Sequence, residues 1–228
     1  ALNGRDQRPL QRQSVSRVWS VDWSPDGKQI AAGSQDGCIH VWNAQTRSLL
    51  RVDEVSDFVQ AVSFSPNSQC LAYACADGNI GLFTSSFGQT LKGHNKAVWS
   101  LDWSPNGEYV ASGSADTNVR IWDGNTGRAL KILEGHADWV LSVRFSAGGK
   151  WLASKSSDGT VRLWRCDTWD CVAVLPEVSR GYAPGLAFHP QAPVLATLGD
   201  NDTVIRLWQL DEEALGRQTA AVGGRSVH

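Results

Sequence analysis

The sequence predicts an all-β fold built from repeated four-stranded antiparallel units, and three observations predict it. An aromatic-Ser-Pro pattern or a close variant recurs five times: WSPDG from Trp23, FSPNS from Phe64, WSPNG from Trp103, FSAGG from Phe145 and FHPQA from Phe188. Each copy leads to an aromatic on a short apolar strand, at Trp42, Phe83, Trp122, Trp164 and Trp208, spaced 41, 39, 42 and 44 residues apart. Gly and Asn punctuate nearly every hairpin and long loops are scarce, as short paired strands require. A period of about 40 to 45 residues with four strands per unit is the signature of β-propeller blades.

The third unit displays the logic of every element. Gly93-His94 opens it, and AVWSLDW then alternates apolar and polar residues as a half-buried strand does. SPNG follows as a turn, because Pro fixes φ and Asn-Gly tolerates positive φ. YVASGS is the second strand, ADTN a tight turn, VRIWD the third strand, GNTG another turn and RALKIL the fourth. The fourth unit runs the same way from Gly135-His136 through WVLSVRF, WLASKS, SSDG, VRLW and CVAVL. The expected organisation is one array over residues 1–210, with repeats near 8–52, 53–91, 92–133, 134–176 and 177–210. A linker-like tail over 211–228 follows, since DEEALGRQTAAVGGRSVH loses the repeat pattern.

With these units on the page, the chain resembles the WD-repeat (WD40) β-propeller family over roughly residues 8–210. The resemblance implies a buried polar tetrad in each complete blade. By position it consists of His94, Ser112, Asp116 and Trp122 in the third unit, and His136, Ser154, Asp158 and Trp164 in the fourth. In such a chain Asp fixes the His tautomer, His meets the hydroxyl, and the hydroxyl reaches the indole N–H, so no donor is stranded. The other units depart from it. The first has Ser14 and Ala32 with Asp36 and Trp42; the second has Val55 and Tyr73 with Asp77 and Phe83. The fifth keeps Thr197, Asp202 and Trp208 but places Ser179 where His belongs. A His beside Asp and Ser also matches a catalytic triad, but recurrence in consecutive units with a Trp endpoint marks it as structural.

Ring closure has three readings. Arg8 to Gln13 occupies a fourth-strand position, so the two chain ends could complete one blade together and remove open sheet edges. Five visible repeats then make an unusual five-bladed ring, which is the expectation adopted. The alternatives are a piece of a larger propeller, or closure by a partner or second copy through strand sharing or self-association. The chain contains no Met, and with its abrupt tail this reads as an excised part of a longer protein.

Composition excludes several classes. With 228 residues, 42% of them hydrophobic, the chain can bury a full core. A net charge of -2 without a Lys/Arg run argues against nucleic acid. No apolar stretch reaches membrane-spanning length and no signal peptide is apparent, so no membrane association and a cytoplasmic setting are expected. Five scattered cysteines without a CxxC or His pair read as free thiols, with no metal site and no cofactor.

Function is expected on the face around the channel. The resemblance places exposed positions there at Arg17 and Trp19, Phe58 and Gln60, Ala97 and Trp99, Trp139 and Leu141, and Tyr182 and Pro184. The partner-binding set taken from these is Arg17, Trp19, Phe58, Gln60, Trp99, Trp139, Leu141 and Tyr182. One large aromatic per blade near one rim suits a protein or peptide partner, because rings bury much area for little side-chain entropy. The expected function is a non-catalytic scaffold or sensor module of a larger signalling or regulatory protein. The alternatives are an aromatic face used for homo-oligomerisation or for an adjoining domain, and, less favoured, an enzyme with a channel-mouth site.

Overall fold

The structure is a computed structural model that describes residues 16–84, 88–177, 184–199 and 204–217. Each repeat forms its own antiparallel sheet, with the strands paired in chain order. The first blade contains β1 (Val18–Trp23), β2 (Gln29–Ser34), β3 (Cys38–Asn43) and β4 (Leu49–Glu54). The second contains β5 (Val59–Phe64), β6 (Leu71–Cys75), β7 (Ile80–Phe83) and β8 (Gly88–Leu91), and the third β9 (Val98–Trp103), β10 (Tyr109–Ser114), β11 (Val119–Asp123) and β12 (Ala129–Leu133). The fourth contains β13 (Val140–Phe145), β14 (Trp151–Ser156), β15 (Thr160–Arg165) and β16 (Cys171–Pro176). The fifth has three described strands, β17 (Leu186–Phe188), β18 (Val194–Leu198) and β19 (Ile205–Gln209), followed by helix α1 (Glu212–Arg217).

The recurring aromatic-Ser-Pro motif has a mechanical explanation. In the first turn the Ser24 hydroxyl accepts the Gln29 amide at 2.8 Å and donates to Asp26 Oδ1 at 2.7 Å, while Gly27 takes φ 71. The same serine closes the next three turns, where Ser65, Ser104 and Ser146 accept the amides of Cys70, Tyr109 and Trp151. In the fifth blade His189 replaces the serine, and its Nδ1 accepts the Gln191 and Ala192 amides instead.

Four clusters of buried residues lie between successive blades and form the core. Ala31, Ile39 and Val41 of blade one meet Val62, Phe64 and Tyr73 of blade two. Ala72, Ile80 and Leu82 meet Leu101, Trp103 and Trp122; Ala111, Val119 and Ile121 meet Val143, Phe145 and Trp164. Ala153, Val161 and Leu163 meet Leu186, Leu195 and Trp208. The innermost strands β1, β5, β9, β13 and β17 therefore pack in series.

Two expectations need correction. No comparable contact joins β17 to β1, so the described strands make an open arc rather than a closed five-bladed ring. Arg8 to Gln13, invoked for closure, lie outside the described residues. The tail expected as linker from Asp211 begins instead with α1. Asp211 caps it by accepting the Ala214 amide at 3.0 Å, Glu212 bonds Lys150 at 3.0 Å and the Trp151 indole at 3.2 Å, and Leu215 packs on the last core cluster.

Candidate functional site

The first strand of each of the first four blades carries a β-bulge at the same place. The register steps from Val18 to Ser20, from Val59 to Ala61, from Ser100 to Val98, and from Val140 to Ser142. The skipped residues are Trp19, Gln60, Trp99 and Leu141. A bulge leaves its extra residue out of the ladder and re-aims its side chain. Here all four turn toward one channel mouth, a cavity of about 510 Å³ that Pro184 also lines.

Of the other half of the rim set, Arg17, Phe58 and Trp139 stand outside that cavity. Arg17 and Phe58 are exposed, and Trp139 is half-buried. Trp139 nevertheless joins the mouth from blade four, because its ring stacks on Trp99 of blade three with centroids 5.8 Å apart and planes 23° off parallel. Trp99 Nε1 is buried and has no hydrogen-bond partner among the described residues. Trp19 is 49% exposed. Leu141, expected to be exposed, is buried, since its bulge tips it into the channel wall. Tyr182 lies outside the described residues.

Below the mouth the wall is polar, which the rim positions did not anticipate. Asp22 Oδ2 accepts the Phe64 amide at 2.7 Å, and Asp102 Oδ2 accepts the Phe145 amide at 2.6 Å, each across a blade interface. One turn nearer the mouth, Ser20 and Ser100 accept the Val62 and Val143 amides in the same way. Arg144 points back to blade three, donating to Ser100 Oγ at 3.2 Å. Burial lifts the Asp102 carboxyl to about 6 and raises Asp22 as well, against the amide bonds and the Arg144 charge that favour ionisation. These residues fall immediately before the aromatic that ends each first strand, in VDW, LDW and VRF, and that shared position is the sequence signal that could have found them. Their amide bonds tie neighbouring blades together, which is a structural use of the carboxylates rather than a catalytic one.

The structure brings both tetrads together. His94 Nδ1 donates to Asp116 Oδ2 at 2.8 Å, Ser112 Oγ lies 2.8 Å from His94 Nε2, and Trp122 Nε1 donates to Ser112 Oγ at 2.9 Å. The corresponding distances among His136, Asp158, Ser154 and Trp164 are 3.0, 2.8 and 2.8 Å. Burial penalises the Asp116 charge, yet the bond and charge of His94 with two backbone amides outweigh it and hold the carboxyl down to about 2. Asp158 is lowered by the equivalent bonds and by Thr160, and burial lowers His94.

The incomplete blades solve the same problem differently. In blade five Glu177, two residues before Ser179, takes the place assigned to His. Thr197 Oγ1 donates to Glu177 Oε1, Trp208 Nε1 donates to Thr197 at 3.1 Å, and Arg206 holds the other carboxylate oxygen at 3.0 Å. Ser179 and Asp202 lie outside the described residues. In blade two Ser56, next to Val55, reaches Asp77 at 2.5 Å, while Tyr73 stacks on Phe83 with centroids 4.8 Å apart. Gly81 makes that stack feasible, since a Cβ there would lie 2.0 Å from the Tyr73 ring. In blade one Ala32 offers no hydroxyl, and Trp42 Nε1 has no partner among the described residues.

Comparisons with known proteins agree with this geometry. The repeat family described as "WD domain, G-beta repeat" matches residues 7–43, 48–84, 85–123 and 127–165, well over half of the chain. A guanine nucleotide-binding protein subunit beta from Arabidopsis thaliana is 34% identical over 73 residues, covering 32% of this chain and 19% of its own length. The WD repeat and HMG-box DNA-binding protein 1 of Xenopus laevis is 39% identical over 64 residues, 27% of this chain and 6% of that protein. The chain thus spans a fifth or less of these curated relatives. Among solved structures, a chain of the mitotic checkpoint complex superposes with a TM-score of 0.82 at 22% identity, over 90% of this chain and 64% of that one. At that identity the likeness speaks for the fold.

Proposed function

This chain belongs to the WD domain, G-beta repeat family, and from that premise we propose that it is a non-catalytic binding module that captures a protein or peptide segment at its channel mouth. The carrying observation is the Trp99–Trp139 stack, which bridges two blades at the edge of the cavity and holds the buried Trp99 indole N–H, a donor with no partner among the described residues. A bound backbone carbonyl would satisfy that donor, and the rings would bury apolar side chains beside Trp19. The polar wall beneath offers a second layer for main-chain or side-chain contacts. Relatives in signalling and regulatory proteins fit a role as scaffold or sensor within a longer polypeptide.

The test is selection of peptides from a random display library on the 228-residue chain, followed by affinity measurement on the Trp99→Ala, Trp139→Ala double variant. Binding should weaken roughly tenfold or more, as removal of a paired aromatic hot spot does. The melting temperature should fall by less than about 5 °C, since the stack itself is worth about 0.5 to 1.5 kcal/mol. Unchanged affinity would remove the channel mouth as the site.

A further inference from the structure

Arg144 is the channel charge whose hydrogen bonding the fold leaves unfinished. The residue before the closing aromatic of each first strand is Asp22, Ser63, Asp102, Arg144 or Ala187, and the first four line the cavity below the mouth. Asp22, Asp102 and Arg144 are the only charged residues that line it among the described residues. The two carboxylates already hold backbone amides. Asp22 Oδ1 and Oδ2 accept the Trp23 and Phe64 amides at 2.9 and 2.7 Å, and Asp102 accepts those of Trp103 and Phe145. The guanidinium is different. Its bonds to Ser100 Oγ, Leu101 O and Val143 O, at 3.2, 3.5 and 2.7 Å, all leave from Nη1. Nε and Nη2 make no hydrogen bond among the described residues, and no ion pair joins Arg144 to either carboxylate.

Its position suits a ligand that arrives from the mouth. Nη1 is tied to Ser100, which stands two residues nearer the mouth than Asp102, about 6 to 7 Å along the strand. An entering group therefore meets the guanidinium before either carboxylate. Next to Ser100 in the chain is Trp99, whose buried Nε1 also has no partner among the described residues. Both unfinished groups are donors, so both call for an acceptor. A guanidinium with Nε and Nη2 free offers two parallel N–H bonds, the fork that a carboxylate accepts with both oxygens. Asp22 and Asp102 bound the site from below, because an anion that went deeper would face two like charges.

Building on the reading of the channel mouth as a peptide site, we infer that Arg144 selects the bound segment for a carboxylate, which seats on its Nε–Nη2 edge. The Trp99–Trp139 pair holds the neighbouring apolar groups. The carboxylate belongs to an Asp or Glu side chain or to a free chain terminus, and the test separates the two. Asp102 adds a signature. Burial has pushed its carboxyl up to about 6, with the Arg144 charge opposing that rise and Asp22 adding to it. An anion seated at Arg144 offsets that help, so binding takes up a proton and tightens as the pH falls. A cationic ligand would do the reverse.

The probe is the tightest histidine-free peptide selected on the 228-residue chain from a random display library with free C-termini. It is made in three forms: unchanged, with Asp and Glu replaced by Asn and Gln, and with the C-terminus amidated. In calorimetric titration of the parent, at least one altered form should bind about tenfold or more weakly, and which one does so names the source. On Arg144→Gln the three forms should agree within about twofold. The unchanged peptide should bind the parent roughly two to five times more tightly at pH 6 than at pH 7.5. Equal affinity of the three forms for the parent, a loss that persists in Arg144→Gln, or binding no tighter at pH 6 would each overturn the inference. Should Arg144→Gln fail to fold, the peptide forms and the pH series on the parent decide alone. The Trp99→Ala, Trp139→Ala variant separates this inference from the reading beneath it. If that variant loses affinity while the carboxylate is immaterial, the mouth stands and the role of Arg144 falls. If it binds as the parent does, both fall.

Discussion

Asp158→Ala probes the tetrad most sharply. Its Oδ2 accepts the His136 Nδ1–H at 3.0 Å and the Ala137 amide at 2.9 Å; its Oδ1 accepts the Thr160 amide at 2.8 Å and hydroxyl at 2.6 Å. The His136 side chain is 1% exposed, so once its ring N–H loses the carboxylate water can hardly replace it, and the Thr160 hydroxyl, 3.2 Å from Nδ1, is the acceptor left beside it. A buried donor left with the weaker hydroxyl acceptor costs about 1 to 2 kcal/mol, and the remaining bonds, nearer solvent, add a few tenths each, giving about 2 to 3 kcal/mol in all. For a domain of this size that lowers the melting temperature by about 4 to 12 °C. Asp77→Ala is the control, because among the described residues Asp77 binds exposed Ser56 and half-buried Asn79 and supports no histidine; it should cost under about 1 kcal/mol. Calorimetry on both variants decides the matter. An unchanged melting temperature for Asp158→Ala, or equal losses for the two, would refute the view that the buried chain of donors holds blade four.

Three other outcomes are expected. Double substitution of Trp99 and Trp139 by Ala should reduce peptide affinity while largely sparing thermal stability, as measured by titration and melting of the same samples. Asp102 holds its proton to about 6 when folded but to about 4 when unfolded, so rising pH deprotonates the unfolded chain first and stability falls across that window. The stability advantage of wild type over Asp102→Asn should therefore shrink by roughly 3 kcal/mol between pH 4 and pH 7 in denaturant titrations; a pH-independent difference would contradict this. Glu177→Ala should cost about 2 to 4 kcal/mol, since it strands Thr197 and uncouples Arg206 from a carboxylate that is 1% exposed. A loss below about 0.5 kcal/mol in chemical denaturation would show that Glu177 does not replace the missing histidine.

Much of the architecture was legible because its causes are local. The Ser24-type hydroxyl, the turn Asp and the strand aromatic each act within one repeat, so their spacing alone exposes the blades. His94 and His136 were placed by the family resemblance, carried onto the Gly-His pairs that open the third and fourth units. Glu177 was not legible: the loop before β17 departs from the repeat, and its carboxylate comes from two residues earlier than the histidine position. Ser56 escaped similarly, by one residue, beside Val55. Asp22, Asp102 and Arg144 read as ordinary strand residues until neighbouring blades bring the Phe64 and Phe145 amides against the carboxylates. Leu141 shows that a bulge shared by four blades need not expose every residue it re-aims. The α1 cap was visible in Asp211 followed by Glu212 and Glu213, but the small residues beyond it dominated the reading of that segment.

The most direct test of channel-mouth binding is a nitrogen-15 spectrum of the indole N–H groups, recorded while a selected peptide is titrated into the chain. The eleven tryptophans report from distinct places, and Trp99 Nε1 is a buried donor with no partner among the described residues. Binding at the mouth predicts a downfield shift of the Trp99 signal as it gains an acceptor, with smaller shifts at Trp19 and Trp139 and none at Trp122 or Trp164. Shifts confined to Trp23 or Trp151, with Trp99 unmoved, would place the peptide elsewhere and contradict it.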